Sequence, residues 1–289
     1  MQPLVDADIL LYEIGFAAET GWKAIKEWKK GDDPIDPPPF EYVAELLDNR
    51  IKGICVVVGA TTDPILYFTG KDNFREGIAK KKKYKDNRSE SSRPFHYYNI
   101  KAYCQSKYDC IVVEGMEADD ALCIKQVMQD DDYITRFVSG KEEGEQTIIC
   151  SRDKDLRQCP GWHFGWELGN QPQFGPYLVD ELGWIKLSDD RKKVRGVGSK
   201  FFHAQMLMGD AVDNIPGLPN CGPVATFNLI NPCTSTLECE QAVVGAYKGV
   251  YEDSWKDELL EQAMLVWMVR ELDEEGKPIM YKLIGDYDV

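Results

Sequence analysis

Nine acidic residues follow short apolar runs or pair at close spacing, and carboxylates so grouped have an obvious chemistry, the holding of a hard cation. The stretch VEGMEADDAL sets Glu117, Asp119 and Asp120 within four residues, just behind Ile111, Val112 and Val113. Like charges beside a buried run repel, and something cationic between them would relieve the repulsion. Asp6 ends PLVD, Asp72 follows ILYFTGKD, and Asp153 and Asp155 follow TIICSRDKD. In MGDAVDN, Asp210 and Asp213 stand one helical turn apart, a spacing that lets both face one way. One acid after one strand is an ordinary turn or cap residue. Capping does not explain adjacent pairs, because one cap serves one helix. No His or Cys accompanies these acids, which points to an oxygen-loving cation such as Mg²⁺ or Mn²⁺. The set exceeds what one such ion uses, so two ions are expected, the arrangement that clamps both oxygens of an in-line phosphoryl displacement.

The elements that must carry these acids are legible from periodicity. PLVDAD reads as a strand leading into a helix, ILLYEIGFAAETGWKAIKEW. After the Pro-rich break GDDPIDPPP come a helix, FEYVAELLDNRI, and a β-type run, GICVVVG. ILYF and DCIVVE read as strands, the latter before the helix EADDALCIKQVMQ, and QTIICS precedes a short helical turn. Strands alternating with helices predict an α/β fold with a mostly parallel central sheet covered on both faces. In such sheets ligands bind at the carboxyl ends of the strands, where the acids fall. From about residue 196 the patterns are helical throughout: SKFFHAQMLMGD, GPVATFNLI, TLECEQAVVGAYKGV and WKDELLEQAMLVWMVRELD. The expected division is therefore an α/β part over 1–195 and a helical part over 196–289.

Composition narrows the class. With 43% hydrophobic and 11% aromatic residues, the 289-residue chain suits a packed core rather than disorder. No apolar run approaches the ~18 residues of a membrane span, and Asp6 and Asp8 interrupt the N-terminal apolar segment, against a secretory signal. Nine cysteines without a CxxC pair suggest reduced thiols and a cytoplasmic setting. The three histidines, His96, His163 and His203, are unclustered and receive no chemistry. No glycine-rich phosphate loop followed by Lys-Ser/Thr is present, against a phosphotransferase.

A net charge of −15 argues against a nucleic-acid partner until its distribution is read. Setting the nine acids aside leaves −6. Between Asp72 and residue 101 lies the most basic stretch, KDNFREGIAKKKKYKDNRSESSRPFHYYNIK, with Tyr84, Tyr97 and Tyr98 interleaved. Alone it reads as a solvated Lys-rich face. Beside a metal cluster it reads as the segment that handles a phosphate-bearing strand.

The motifs VDAD, FTGKDNFRE with YKDNR, EADDAL, CSRDKDLRQ and GDAVDNIPGLPNCGPVATF, in this order, resemble the 5′-nuclease superfamily. That group comprises flap endonucleases, the 5′-nuclease domain of bacterial DNA polymerase I, and stand-alone phage 5′→3′ exonucleases; the likeness is strongest to the last. The resemblance covers Asp6 to about Phe227. It implies a two-metal phosphodiesterase that cuts DNA, and often primer RNA, from the 5′ end. It also implies a basic helical arch over about 74–100 and a helix-hairpin-helix element marked by Gly217, Pro219 and Gly222. Asp6, Asp72, Glu117, Asp119 and Asp120 resemble the ligands of a first metal, and Asp153, Asp155, Asp210 and Asp213 those of a second. Arg75, Lys85 and Arg88 resemble the arch groups that grip the strand, with Arg75, Lys85 and Asp120 taken as catalytic and Tyr84 as a base-stacking residue. Val224 stands where the family often has Lys, which leaves a phosphate contact there to the backbone.

The expected activity is thus a metal-dependent 5′→3′ exonuclease on duplex DNA, favoured over a flap endonuclease because the arch segment is short. A catalytically inactive DNA-binding replication protein is the alternative of another class; the presence of every acid speaks against it. RNA/DNA hybrids and replication or recombination proteins are further expected partners, and the protein is expected to be a monomer away from membranes.

Overall fold

A computed structural model describes residues 1–87, 92–128 and 146–287. The first strand, β1 (Gln2–Asp6), runs straight into α1 (Ala7–Ile25), whose buried Ala7, Leu10, Leu11, Ile14 and Ala18 recur at helical spacing. α2 (Phe40–Val57) follows the Pro-rich break, and β2 (Ile65–Thr69) returns to the sheet. A short helix α3 (Phe74–Ile78) opens the basic segment, and α4 (Tyr97–Lys107) closes it before β3 (Asp109–Val113). Then come α5 (Ala118–Met128), β4 (Thr147–Cys150), a single 3₁₀ turn (Asp155–Gln158), β5 (Gly161–Gly165) and β6 (Phe174–Val179).

The sheet order is β3-β2-β1-β4-β5-β6, parallel except for β6. Chain order reverses direction across β1: β2 pairs on one side and β4 on the other. Asp6 lies level with Tyr67 of β2, and Val5 level with Cys150 of β4. The carboxyl ends of β1 and β4 therefore open side by side at the topological switch point, where open α/β sheets bind ligands. One sheet face is covered by α1 and α2 through Leu10, Leu11, Leu47 and Ile51. The other is covered by Leu122 and Cys123 of α5 and by Met268 and Val269.

The second core belongs to a small antiparallel pair, β7 (Trp184–Leu187) and β8 (Val194–Val197), with α6 (Gly198–Met208), α7 (Pro223–Ile230), α8 (Thr236–Tyr251) and α9 (Trp255–Val266). Leu182, Ile185, Leu187 and Val194 pack into this core although they precede residue 196. Ile78, Ala79 and Tyr84 of the basic segment join it as well, so the two halves interlock. Among the described residues no helix is long and apolar enough to cross a membrane.

Two expected elements differ. GICVVVG is not a strand: residues 53–57 are the end of α2, whose buried positions Val43, Leu47, Ile51 and Ile54 keep a helical period through the β-branched run. Val56 and Val57 consequently face solvent. The final helix stops at Val266 rather than running through the whole apolar stretch, and Trp267 turns extended. Met268 and Val269 then cross to the sheet's second face and are buried there.

Candidate active site

The strand ends and the loop before α7 border a narrow cleft lined by Glu117, Asp119, Asp153, Asp155, Asp210 and Asp213, with Tyr84, Lys85 and Gln205. Ile215, Leu265, Val266 and Met268 supply apolar walls. Asp6 borders it from the end of β1, buried, with Ser151 Oγ donating to its Oδ2 at 2.8 Å. Asp210 and Asp213 do not sit on a helix as their spacing had suggested. They belong to a tight loop closed by mutual backbone bonds between Asp210 and Ile215 at 2.8 Å, which aims both into the cleft.

Electrostatics mark the cleft as a strained anionic site. Burial, then the charges of Asp8 and Asp153, raise Asp6 to about 7. Burial and the charge of Asp153 raise Asp155 to about 7, against the pull of Lys154. Asp119 is pushed well above the carboxylate range by burial and by Asp6, Asp153 and Glu117. Asp153, which lines the cleft with them, contributes to all three shifts. Each unit of upward shift is ~1.4 kcal/mol of penalty on the ionised form, and a cation would relieve it.

Two ammonium groups already meet that charge. Lys85 Nζ ion-pairs with Glu117 and lies 3.9 Å from Asp213. Lys154 Nζ binds Asp155 at 2.7 Å and Asp210 more closely still. Tyr84 donates its hydroxyl to Glu117 at 3.1 Å and Asp213 at 3.2 Å. Lys85 takes left-handed backbone (φ 56°), uncommon outside glycine, and its N–H bonds to the Asp213 carbonyl. Residues 79–87, part of the arch segment between α3 and α4, thus form a strap that carries no helix of its own. Its backbone is tied further by Glu261, which accepts from the N–H groups of Lys80 and Lys81 at 2.9 Å, and by the Asn87 amide donating to the Ala211 carbonyl.

Three expected roles change. Asp120 is fully buried and its oxygens are taken: Arg75 holds both, the Val269 N–H donates to Oδ1 and the Glu117 N–H to Oδ2. It is a counter-ion, not a cleft ligand. Arg75, expected on the strand-gripping surface, is equally buried, and donates besides to the carbonyls of Leu265 and Trp267. Asp72 is exposed and does not line the cleft; with φ 62° it serves as the left-handed residue of a turn, a conformation Asp tolerates. Arg88 lies outside the described residues.

Asp8, Lys154 and Gln205 were not singled out from sequence. Asp8 accepts the Thr69 N–H at 2.9 Å, which draws the end of β2 toward β1, and burial raises its carboxyl. Its place two residues after Asp6 was the available signal. Gln205 of α6 donates to Asp155 at 2.5 Å and fixes that carboxylate; a glutamine inside an apolar helical pattern carried little warning.

In the loop before α7, Gly217 (φ 67°) backs onto Gly209 (φ 69°): a Cβ on Gly217 would lie 2.3 Å from the Gly209 nitrogen. Pro219 and Gly222 are exposed, and Gly222 caps α7 with Pro223 at its first position. Space around a Cβ at Gly222 is open, so the N–H groups at this end of α7 can be approached closely.

The donor set of the cleft, carboxylate oxygens without histidine or thiolate, suits a hard divalent cation. Among the described residues no three acids close on one point as they stand, and the ammonium groups lie between acid pairs. The cleft fits cations by charge and chemistry.

No family model matches the chain. It is 29% identical over 124 residues to DNA polymerase I of Rhizobium leguminosarum, covering 42% of this chain and 10% of that protein. It is 30% identical over 119 residues to DNA polymerase I of Pseudomonas aeruginosa, covering 40% of this chain and 12% of that protein. The chain thus spans about a tenth of the length of the curated relatives it matches. Among solved structures, a phage T5 protein co-crystallised with metal ions superposes with TM-score 0.49 at 15% identity over 92% of this chain and 88% of that one. A phage T5 flap endonuclease in complex with DNA and metal ions gives 0.46 at 14% identity, over 92% and 98%. Over about two fifths of its length the chain is thus similar in sequence to bacterial DNA polymerase I.

Proposed function

We propose that the chain is a divalent-metal-dependent nuclease that hydrolyses phosphodiester bonds of duplex DNA from a 5′ end, working chiefly as an exonuclease. The observation that carries this reading is the cleft itself: acids from separate chain segments meet at the sheet's switch point, and several are held above the normal carboxylate range.

Asp6, Glu117, Asp119 and Asp153 are the residues that would hold one Mg²⁺ or Mn²⁺, and Asp155, Asp210 and Asp213 a second. Such ions would supply charge neutralisation at the phosphate and a hydroxide nucleophile near neutral pH. The chain's own groups do the rest. Lys85 Nζ and the Tyr84 hydroxyl face the acids and can turn to a phosphate oxygen, as cation and hydrogen-bond donor. Gln205 and Ser151 hold Asp155 and Asp6 in orientation. Ile215, Leu265, Val266 and Met268 limit water, which strengthens each electrostatic contact. The open turn at Pro219–Gly222 offers backbone N–H groups to a duplex phosphate away from the cut.

A 5′-labelled blunt duplex and a flapped duplex, each incubated with Mg²⁺ or with chelator, test the reading. Release of 5′ nucleotides or short oligomers that requires the metal is expected. Undiminished cleavage in excess chelator refutes it, and preference for the flapped duplex replaces exonuclease with flap endonuclease as the main activity.

A further inference from the structure

A chain of buried amides runs from the end of α9 to the acids of the cleft. Gln158 closes the 3₁₀ turn that Asp155 opens, and it is 1% exposed. Its Nε2 donates to the Val266 carbonyl at 3.1 Å and to Gln205 Oε1 at 2.5 Å. Gln205, 3% exposed, passes the donation on, its own Nε2 reaching Asp155 Oδ1 at 2.5 Å. Lys154 Nζ binds the same oxygen at 2.7 Å, so both donors converge on Oδ1 and neither takes Oδ2.

An amide has a donor end and an acceptor end, and a bond at one dictates what the other presents. Val266 is the last residue of α9, where carbonyls have no donor from within the helix. That carbonyl calls for an N–H, so Gln158 turns Nε2 toward it, and the same nitrogen meets Gln205. Gln205 is thereby held with Oε1 inward and Nε2 on Asp155. A reversed Gln158 would set its oxygen against two others. Mutual satisfaction of two buried amides does not account for the arrangement, because Gln158 Oε1 is left without a protein partner among the described residues.

We propose that Gln158 is a positioning residue for the second cation: through Gln205 it fixes the donor that holds Asp155 Oδ1, and so leaves Oδ2 to the metal. The inference rests on the reading of Asp155 as a metal-holding residue. It adds to that reading a side chain that does not itself line the cleft. Groups that orient a metal-binding side chain from outside are worth roughly ten- to a hundredfold in metal affinity.

Mn²⁺ titration of the DNA-free protein, with the free ion counted by electron paramagnetic resonance, tests this without any cleavage. Gln205→Met and Gln158→Met keep the side-chain length and remove the amide. Each should weaken one class of Mn²⁺ site by about tenfold or more. The double variant should bind no more weakly than Gln205→Met alone, because Gln158 acts only through Gln205. A packing role would lower the melting temperature in chelator and leave Mn²⁺ binding alone. Should Gln158→Met fail to fold, Gln158→Glu carries the same comparison: it sets an acceptor against Gln205 Oε1, turns that amide away from Asp155 and should weaken the same site. Mn²⁺ binding of wild-type strength in the folded Gln158 variant, or losses that add fully in the double variant, overturns the positioning role while leaving the nuclease reading standing. A wild type that binds no Mn²⁺ overturns the metal reading, and this inference with it.

Discussion

Arg75 and Asp120 face each other in a contact sealed from solvent: Nη1 lies 2.6 Å from Oδ2 and Nη2 2.8 Å from Oδ1, and neither side chain is exposed. With the Arg75 bonds to Leu265 and Trp267 and the Val269 bond to Asp120, the pair fastens α3 and α5 to the chain leaving α9. It braces the cleft wall on which Glu117 and Asp119 sit.

Breaking such a pair from one side strands a buried charge, typically at 3–5 kcal/mol. Arg75→Ala and Asp120→Ala should each lose about that much stability in urea titration, to the same extent in chelator and in Mg²⁺. If the loss at Asp120 appears only with Mg²⁺, the residue is a metal ligand after all.

His163 gives a pH signature apart from the acids. Burial lowers it to about 4 from 6.5, while its Nε2–H donates to the Cys159 carbonyl at 2.8 Å. As pH falls below 6.5 the unfolded chain takes the proton first, so stability present above 6.5 is lost on the way down to about 4. The full loss is on the order of 3 kcal/mol for a shift of this size. His163→Gln keeps a donor for Cys159 and should lose less stability between pH 7 and 4 than wild type. Parallel curves for the two proteins would sink the assignment.

The two glycines before α7 should respond oppositely. Gly217→Ala combines φ 67° with a 2.3 Å approach to Gly209, and should lose 1–3 kcal/mol or more. Gly222→Val meets open space and should stay within about 1 kcal/mol of wild type, the difference between good and poor N-caps. Its effect should fall on binding, weaker for duplex than for single strand, measured with matched labelled oligonucleotides. Equal weakening on both removes the turn from the duplex contact.

How much of this was legible depends on whether the signal was local. The parallel sheet and the acids at Asp6, Asp153 and Asp155 follow from apolar runs that end in carboxylates. GICVVVG misled because its β-branched composition suited a strand, whereas three earlier turns of helix had already set which residues were buried. The burial of Arg75 and Asp120 depends on carbonyls and an N–H from residues 265–269, nearly 150 positions beyond Asp120, and no local pattern carries that. Asp72 failed for a related reason: Asp in a tight turn and Asp in a cleft look alike in one dimension.

The metal reading can be tested without any nuclease assay. Asp155 is ionised at neutral pH only against burial and the charge of Asp153, since its carboxyl is raised to about 7. Neutralising it should therefore stabilise the metal-free protein at pH 8, by ~1 kcal/mol for charges near a protein surface. Asparagine keeps an acceptor for Gln205, which otherwise bonds this side chain at 2.5 Å. Mg²⁺ should reverse the order, because a ligand that binds only the native state adds RT ln(1 + [L]/Kd), about 2.7 kcal/mol at a hundredfold excess over Kd. Asp155→Asn is thus expected to melt above wild type in chelator and to gain less than wild type when Mg²⁺ is added. Surface acids would show neither effect, since exposed charges are screened and interact weakly. Melting in the same order, with the same Mg²⁺ increment for both proteins, would remove Asp155 from the metal site and the second ion with it.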